Sequence, residues 1–133
     1  MPIISKEGQI KNGNDEIVII ANTDNPENIF ALYHNTEILG IEFPSYSDGR
    51  GFTLAKRLRN LGFAGRLRAI GPLIPDQFAE SIDVGFDEVE ISQEQLNRQP
   101  KEQWFAALKT FSKAYQQDGH KQSIIAARWA NKS

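Results

Sequence analysis

The chain has no cysteine. That absence excludes disulfides, thiol nucleophiles and thiolate-held iron–sulfur clusters on these residues, so a redox role would require a bound cofactor, whose identity the residues do not reveal, or a redox partner. Histidine is scarce too: His34 and His120 lie far apart and lack the spacing of metal ligands. No metal site is expected. Long apolar runs are missing, and the opening Met1-Pro2-Ile3-Ile4-Ser5-Lys6-Glu7 lacks the apolar core of a signal sequence, which predicts a cytoplasmic protein with no membrane partner. Nor is there an excess of charge of one sign. With 15 Lys and Arg against 17 Asp and Glu, the net charge of -2 argues against nucleic acid as a partner.

What is present fits one soluble domain. The 133 residues, 40% hydrophobic, are enough to bury roughly two-thirds of the unfolded surface without a covalent staple. The pattern between residues 16 and 91 is an alternation of β-branched runs and amphipathic helices. Glu16 to Ala21 reads as a strand covered on both faces. Gln9-Ile10-Lys11 is a weaker run that would pair with it as a hairpin across Asn12-Gly13. Asn25-Pro26-Glu27 is an N-cap, a first-position proline and a first-turn acid, predicting a helix to about His34 with Asn35 as a left-handed stop. Ile38 to Phe43 is the next strand, and Pro44 ends it.

Phe52, Leu54, Ala55, Leu58 and Leu61 recur near 3.6 residues from about Gly49, and Gly62 sits where a helix ends. Leu67 to Gly71 is a strand, Pro75 opens a helix that Gly85 stops, and Phe86 to Ile91 is a strand whose Glu88 and Glu90 predict a half-exposed edge position. Ser92-Gln93-Glu94-Gln95 matches a capping box. A longer helix after Pro100 carries Trp104, Phe105, Leu108, Phe111 and Tyr115 as a core stripe. Four strand–helix units predict a single α/β domain with about four parallel strands; a flavodoxin-like sandwich and an open half of a β/α barrel both fit. Residues 118–133, with Ile124, Ile125 and Trp129, are more apolar than a solvated end and read as a docking tail or the contact of a homodimer.

Two polar loops follow strands and precede helices, Pro44 to Phe52 and Gly71 to Gln77, so in a parallel sheet both leave from the carboxyl edge. Arg50 is informative because a cation in the first helical turn opposes the helix dipole by a few tenths of a kcal/mol or more. Either the backbone amides of Gly49 to Phe52, joined by Arg50 and beside the hydroxyls of Ser45, Tyr46 and Ser47, cradle a phosphate, sulfate or carboxylate, or Asp48 or another acid pairs with Arg50 and the glycines merely turn the chain. Arg68 and Glu42 lie inside apolar strands and Glu90 at the same stage of the last one. They read as a structural ion network, or alternatively as the mouth of a pocket with Asp76 and Gln77. Arg50, Lys56, Arg57, Arg59, Arg66 and Arg68 form a basic stretch without an acid, suited to an acidic partner or ligand. For Lys56, Arg57 and Arg59 a plain solvated helix face is the simpler reading. Gly49-x-Gly51 is not continued as a dinucleotide fingerprint, no Walker lysine motif occurs, and no serine occupies a nucleophile elbow. No catalytic residue is assigned.

The run Ile41-Glu42-Phe43-Pro44 and Tyr46 to Phe52, together with Leu58-Arg59, Gly65-x-Leu67-Arg68-Ala69-x-Gly71, Asp76-Gln77 and Gly85-Phe86-Asp87, resembles a bacterial family catalogued as domain of unknown function 934. The resemblance covers roughly residues 38 to 91, with an echo at Phe111-Ser112 and Tyr115-Gln116. Members of that family are typically encoded beside sulfite reductase and other sulfate-assimilation genes and carry an oxidoreductase label. The resemblance therefore implies an accessory of assimilatory sulfite reduction that binds sulfite reductase, another enzyme of sulfur assimilation or a small anion. The alternative it leaves is a small enzyme acting on an anionic sulfur-assimilation substrate or a nucleotide cofactor.

Overall fold

Four β-branched runs and the helices between them set the architecture. A computed structural model describes residues 1–13, 16–45 and 47–117, with side chains to residue 109. The elements are β1 (Pro2–Ser5), β2 (Ile10–Asn12), β3 (Val18–Ala21), α1 (Pro26–Tyr33), β4 (Ile38–Glu42), α2 (Arg50–Leu61), β5 (Arg66–Ile70), α3 (Pro75–Val84), β6 (Glu88–Glu90), α4 (Gln93–Arg98) and α5 (Lys101–Gln117). They form one mixed sheet of six strands in the order β2-β1-β6-β5-β4-β3. From β3 to β6 each strand lies parallel to its predecessor, while β1 runs antiparallel to both β2 and β6.

Each parallel strand is laid beside the one before it, so the right-handed crossovers put α1, α2 and α3 on the same face. Their contacts agree, α1 with α2 and α2 with α3. The order never reverses, as a flavodoxin-like sheet would require, and there is accordingly no switch-point crevice. The predicted alternation therefore holds, but within a mixed sheet extended by an antiparallel hairpin.

Local signals explain most of the helix boundaries. The Asn25 side chain accepts from the Asn28 amide at 3.0 Å and Ser92 Oγ from the Gln95 amide at 3.1 Å. Gly62 stops α2 at φ +110°. Asn35 is not the left-handed stop expected, since no residue other than glycine has positive φ among the described residues.

The N-terminal pairing also differs from expectation. β2 pairs with β1, and the Gly13 amide extends that ladder by donating to Met1 O at 3.0 Å. β3 lies at the far edge beside β4. The turn is made by Gly8, at φ +88°, rather than by Asn12-Gly13. Once β1 docks on β6, β6 becomes an interior strand, and Glu88 is 1% exposed instead of facing water at an edge.

The two sheet faces differ chemically. Under the helices, Leu39, Ile41, Leu67, Ala69 and Val89 meet Leu58, Phe78, Ile82 and Trp104 in the core. Phe105 and Leu108 pack against this cluster, as the predicted α5 stripe requires, whereas Phe111 and Tyr115 lie beyond the described side chains.

On the other face an ion network runs across β5 and β6, where Arg68 and Glu88 are register partners. Glu88 Oε2 accepts from Arg68 Nε at 2.6 Å, Glu88 Oε1 from Arg66 Nη2 at 3.0 Å, and Glu90 Oε1 from Arg68 Nη1 at 3.1 Å. Gly13, against Ile3 and Glu90, and Ile17, against Gly40, lie over this face. Arg68 and Glu90 thus join the expected network with Glu88 as the central carboxylate. Glu42 remains exposed at the end of β4.

A second cluster closes the amino edge. The Arg59 guanidinium donates to Phe63 O (2.8 Å), Gly65 O (2.7 Å), Gly85 O (2.9 and 3.0 Å) and Asp87 Oδ2 (2.8 Å), joining the ends of α2 and α3 to β6. Asp87 also accepts from Lys6 Nζ at 2.7 Å and from the Leu67 amide at 2.9 Å. Arg59 is therefore a staple between helix ends and not part of a solvated face.

Burial pushes the Asp87 carboxyl up, but Lys6, the Leu67 amide and Arg59 together hold it below its ordinary value. A depressed carboxylate stabilises the fold above its unfolded pKa, near ~4, and that stabilisation disappears as pH falls through the lower folded value. Urea unfolding of Asp87→Asn should show a shallower loss of stability below about pH 4 than the unsubstituted protein. Arg59→Leu should cost about 3 kcal/mol or more, because Asp87 and three carbonyl groups lose a buried partner. Arg57→Ala should cost about 1 kcal/mol or less, since its bond to Glu27 joins side chains that are 53% and 52% exposed.

Candidate functional site at the carboxyl edge

The two polar loops emerge side by side. The Phe43 amide donates to Ile70 O at 2.7 Å, which carries the β4–β5 ladder to the point where both chains turn away. Gly71 has φ +133°, and a side chain there would collide with the Phe43 carbonyl, so only glycine lets the second loop leave so close to the first. Gly51 is constrained differently: a Cβ would strike the Phe43 ring. Its role is to let α2 settle on that ring.

α2 begins without a side-chain cap at Gly49 and without an acid in its first turn. The Asp48 carboxylate compensates from just before the helix. Its Oδ1 accepts from the Arg50 amide at 3.2 Å and from Arg50 Nε at 2.9 Å, and its Oδ2 accepts from Arg50 Nη2 at 2.7 Å. The two-pronged bond from Arg50, with Asn22 close by, holds the Asp48 carboxyl far below the usual carboxylate range. The same pairing raises the pKa of Arg50. The side chains are 63% exposed for Arg50 and 13% for Asp48. Asp48 thus pairs with Arg50, as one of the two readings requires, while much of the guanidinium still faces outward. Beside it the Ser45 and Ser47 hydroxyls lie 3.3 Å apart, both on exposed residues.

Asp76 and Gln77 are found at the start of α3. Asp76 is exposed in the first turn, and Gln77 Oε1 accepts from the Ile74 amide at 3.0 Å, capping the helix. Asp76 lines a recess of about 440 Å³ together with Ile74, Gln99, Gln103 and Ala107. Arg68 does not belong to this edge. It lies within β5 on the buried second face, in the ion network already described.

A cavity of about 500 Å³ opens at the opposite edge, lined by Lys56, Asn60, Phe63, Arg66 and Asp87 around Arg59. The Arg59 donors there are already bonded to main-chain carbonyls and to Asp87.

One residue of the carboxyl edge escapes a reading based on loops after β4 and β5. Asn22, immediately after β3, is 7% exposed, and its side-chain amide faces the Asp48 carboxylate, which after Arg50 it helps to hold below its ordinary pKa by hydrogen bonding. The available signal was positional, since Asn22 follows an apolar strand at the same stage as the other two loops.

A family model described as "Bacterial protein of unknown function (DUF934)" matches residues 17–125. The chain belongs to this family. The DUF934 match takes in β3 to β6 and the helices between them, extending well beyond the motif-bearing stretch, while the β1–β2 hairpin falls outside it. Comparison with curated proteins and with solved structures finds no match. Residues 118–133, expected to form a docking tail, lie outside the described residues, and no described helix is long and apolar enough to cross a membrane.

The Asp48–Arg50 pairing makes a spectroscopic prediction. The side-chain carboxyl carbon of Asp48 should keep a constant NMR shift from about pH 7 to about pH 3, and in Arg50→Gln it should titrate closer to the ordinary value of 3.8. An unchanged profile in Arg50→Gln would show that the guanidinium is not what holds the carboxyl down.

Proposed function

We propose that this protein is a binding accessory of assimilatory sulfite reduction, engaging a partner enzyme or a small anionic ligand at the carboxyl edge of its parallel strands. The observation that carries the reading is the exposed Arg50 guanidinium, held by Asp48 over a helix start whose N-cap, Gly49, has no side chain, beside a second strand-end loop. Such a helix start favours negative charge, because its first amides point outward and the dipole adds about half a positive charge. Arg57, exposed on the same helix and paired with Glu27 at the start of α1, adds a second cation to this surface. The unreversed run of β3, β4, β5 and β6 is also the order that an open half of a β/α barrel would have, an architecture whose sites form at the carboxyl ends of the strands.

The link to sulfite reduction comes from the genes beside which members of the family are encoded, and a direct binding experiment can test it. Immobilised protein should retain sulfite reductase, and the double variant Arg50→Glu, Arg57→Glu should lose most of that capture at physiological salt. Equal capture by the variant would count against a role for the basic edge. No capture by either form would leave the anion as the only ligand class for this reading.

A further inference from the structure

The sheet ends on an unguarded strand. β3 has β4 on one side and, among the described residues, no strand on the other. Its register with β4, and the bond of 3.0 Å from the Ala21 amide to Asp24 Oδ2, show that Val18 and Ile20 direct their polar backbone groups to β4 while Ile19 and Ala21 direct theirs outward. Asp24 occupies Ala21, whose carbonyl accepts the Asp24 amide at 3.1 Å. The amide and carbonyl of Ile19 have no such cover among the described residues. Edge strands are ordinarily kept from pairing by a lysine, a proline, a bulge or an inward charge, and Ile17-Val18-Ile19-Ile20-Ala21 carries none of these.

The side chains that flank this edge are apolar and uncharged. Ile19 is 52% exposed and Leu32, on α1, is 73% exposed. Within α1, Ile29 is buried and Phe30 lies against Gly62 at the end of α2. Leu32, three residues after Ile29, falls about 60° round the helix on the side away from Phe30. Since α2 is the helix that α1 packs against, that side overhangs β3 and its open edge. Glu27, the acid of α1, is turned the other way, to Arg57 of α2.

We propose that this edge pairs with the β3 edge of a second copy of the chain, antiparallel about a two-fold axis at Ile19, so that the sheet continues across the dimer and Leu32 of each α1 packs against its counterpart. A two-fold interface joins a patch to itself, so a charged patch would repel its own copy, whereas residues 17–21 bring only apolar side chains together. Ile19 then faces Ile19 in a pair that exchanges both backbone hydrogen bonds, and Val18 faces Ile20. The axis stands perpendicular to the sheet, which keeps both helix layers on one face and sets the two α1 helices side by side. So short a strand pair is marginal in water by itself, and Leu32 supplies the apolar contact that it lacks. An acidic or basic peptide would find no counter-charge on these residues. The inference does not depend on the binding role proposed for the start of α2.

The test is sedimentation equilibrium of the full chain from about 1 to 500 μM, beside the variants Ile19→Lys and Leu32→Lys. A monomer–dimer equilibrium is expected, with the dissociation constant raised about tenfold or more in each variant. Both substitutions alter exposed side chains, and circular dichroism checks that the variants fold. Because the chain has no cysteine, Ile19→Cys carries a single thiol. The pairing sets the two α-carbons about 5.5 Å apart, within disulfide reach. Mild oxidation should therefore link Ile19→Cys into dimers and leave Ile74→Cys, at the start of α3, unlinked. Leu32→Lys and the disulfide still decide the matter if Ile19→Lys fails to fold. A monomer at every concentration would overturn the proposal. So would a dimer that survives unchanged in both lysine variants, which would place the contact elsewhere, residues 118–133 included. Oligomers that keep growing with concentration would mean head-to-tail pairing and would equally exclude the two-fold arrangement.

Discussion

One carboxylate ties the amino edge together. Asp87 accepts from Lys6 beyond β1, from the Leu67 amide in β5 and from Arg59 in α2, and it is 4% exposed. A charge so far from water is tolerated only when its lone pairs are filled, and here they are filled by three segments distant in sequence. The Arg59 guanidinium extends the arrangement to the carbonyl groups at the ends of α2 and α3, which would otherwise lack partners. Strand spacing, helix ends and the antiparallel hairpin are thereby fixed at one pole.

The opposite pole follows different chemistry. At the carboxyl edge the helix starts are not joined by a shared buried ion; each is satisfied locally, α1 by Asn25, α3 by Gln77, and α2 only in part by Asp48. Local satisfaction leaves side chains exposed, that of Arg50 most of all. The cavity at the amino edge is the larger of the two described, but its chief cation is fully engaged by the protein itself. The proposed binding role is placed at the carboxyl edge, where the Arg50 guanidinium stays exposed, because size alone does not supply groups able to hold a ligand.

Much of this was legible in the residues. The helical period of α2, the glycine after it and the prolines that open α1 and α3 act through short-range sterics and hydrogen bonds, which a linear pattern carries directly. The fate of Glu88 did not follow from its own strand, because alternation reports which residues share a face and not what covers that face. The better signal was paired: Arg66-x-Arg68 and Glu88-x-Glu90 repeat the same two-residue spacing on neighbouring strands, as cross-strand ion pairs require. β1 escaped notice because four residues opening with a proline make a weak strand by themselves. Docking on β6 and pairing with β2 bury it on both sides.

The placement of Arg50 shows how a local penalty can be kept without destabilising the fold. A first-turn cation opposes the dipole of α2, yet the Asp48 carboxylate reaches both the Arg50 amide and its guanidinium, so one acceptor group satisfies the helix start and neutralises the cation. Asp48 could have capped the helix without any arginine, as Asn25 and Ser92 do elsewhere in the chain. Capping therefore does not explain Arg50. Its guanidinium is 63% exposed, bonded along one side, and not packed as Arg59 is. A residue that the helix does not need and the core does not use is available to something outside the chain, and for that reason the proposed binding role is centred on the start of α2.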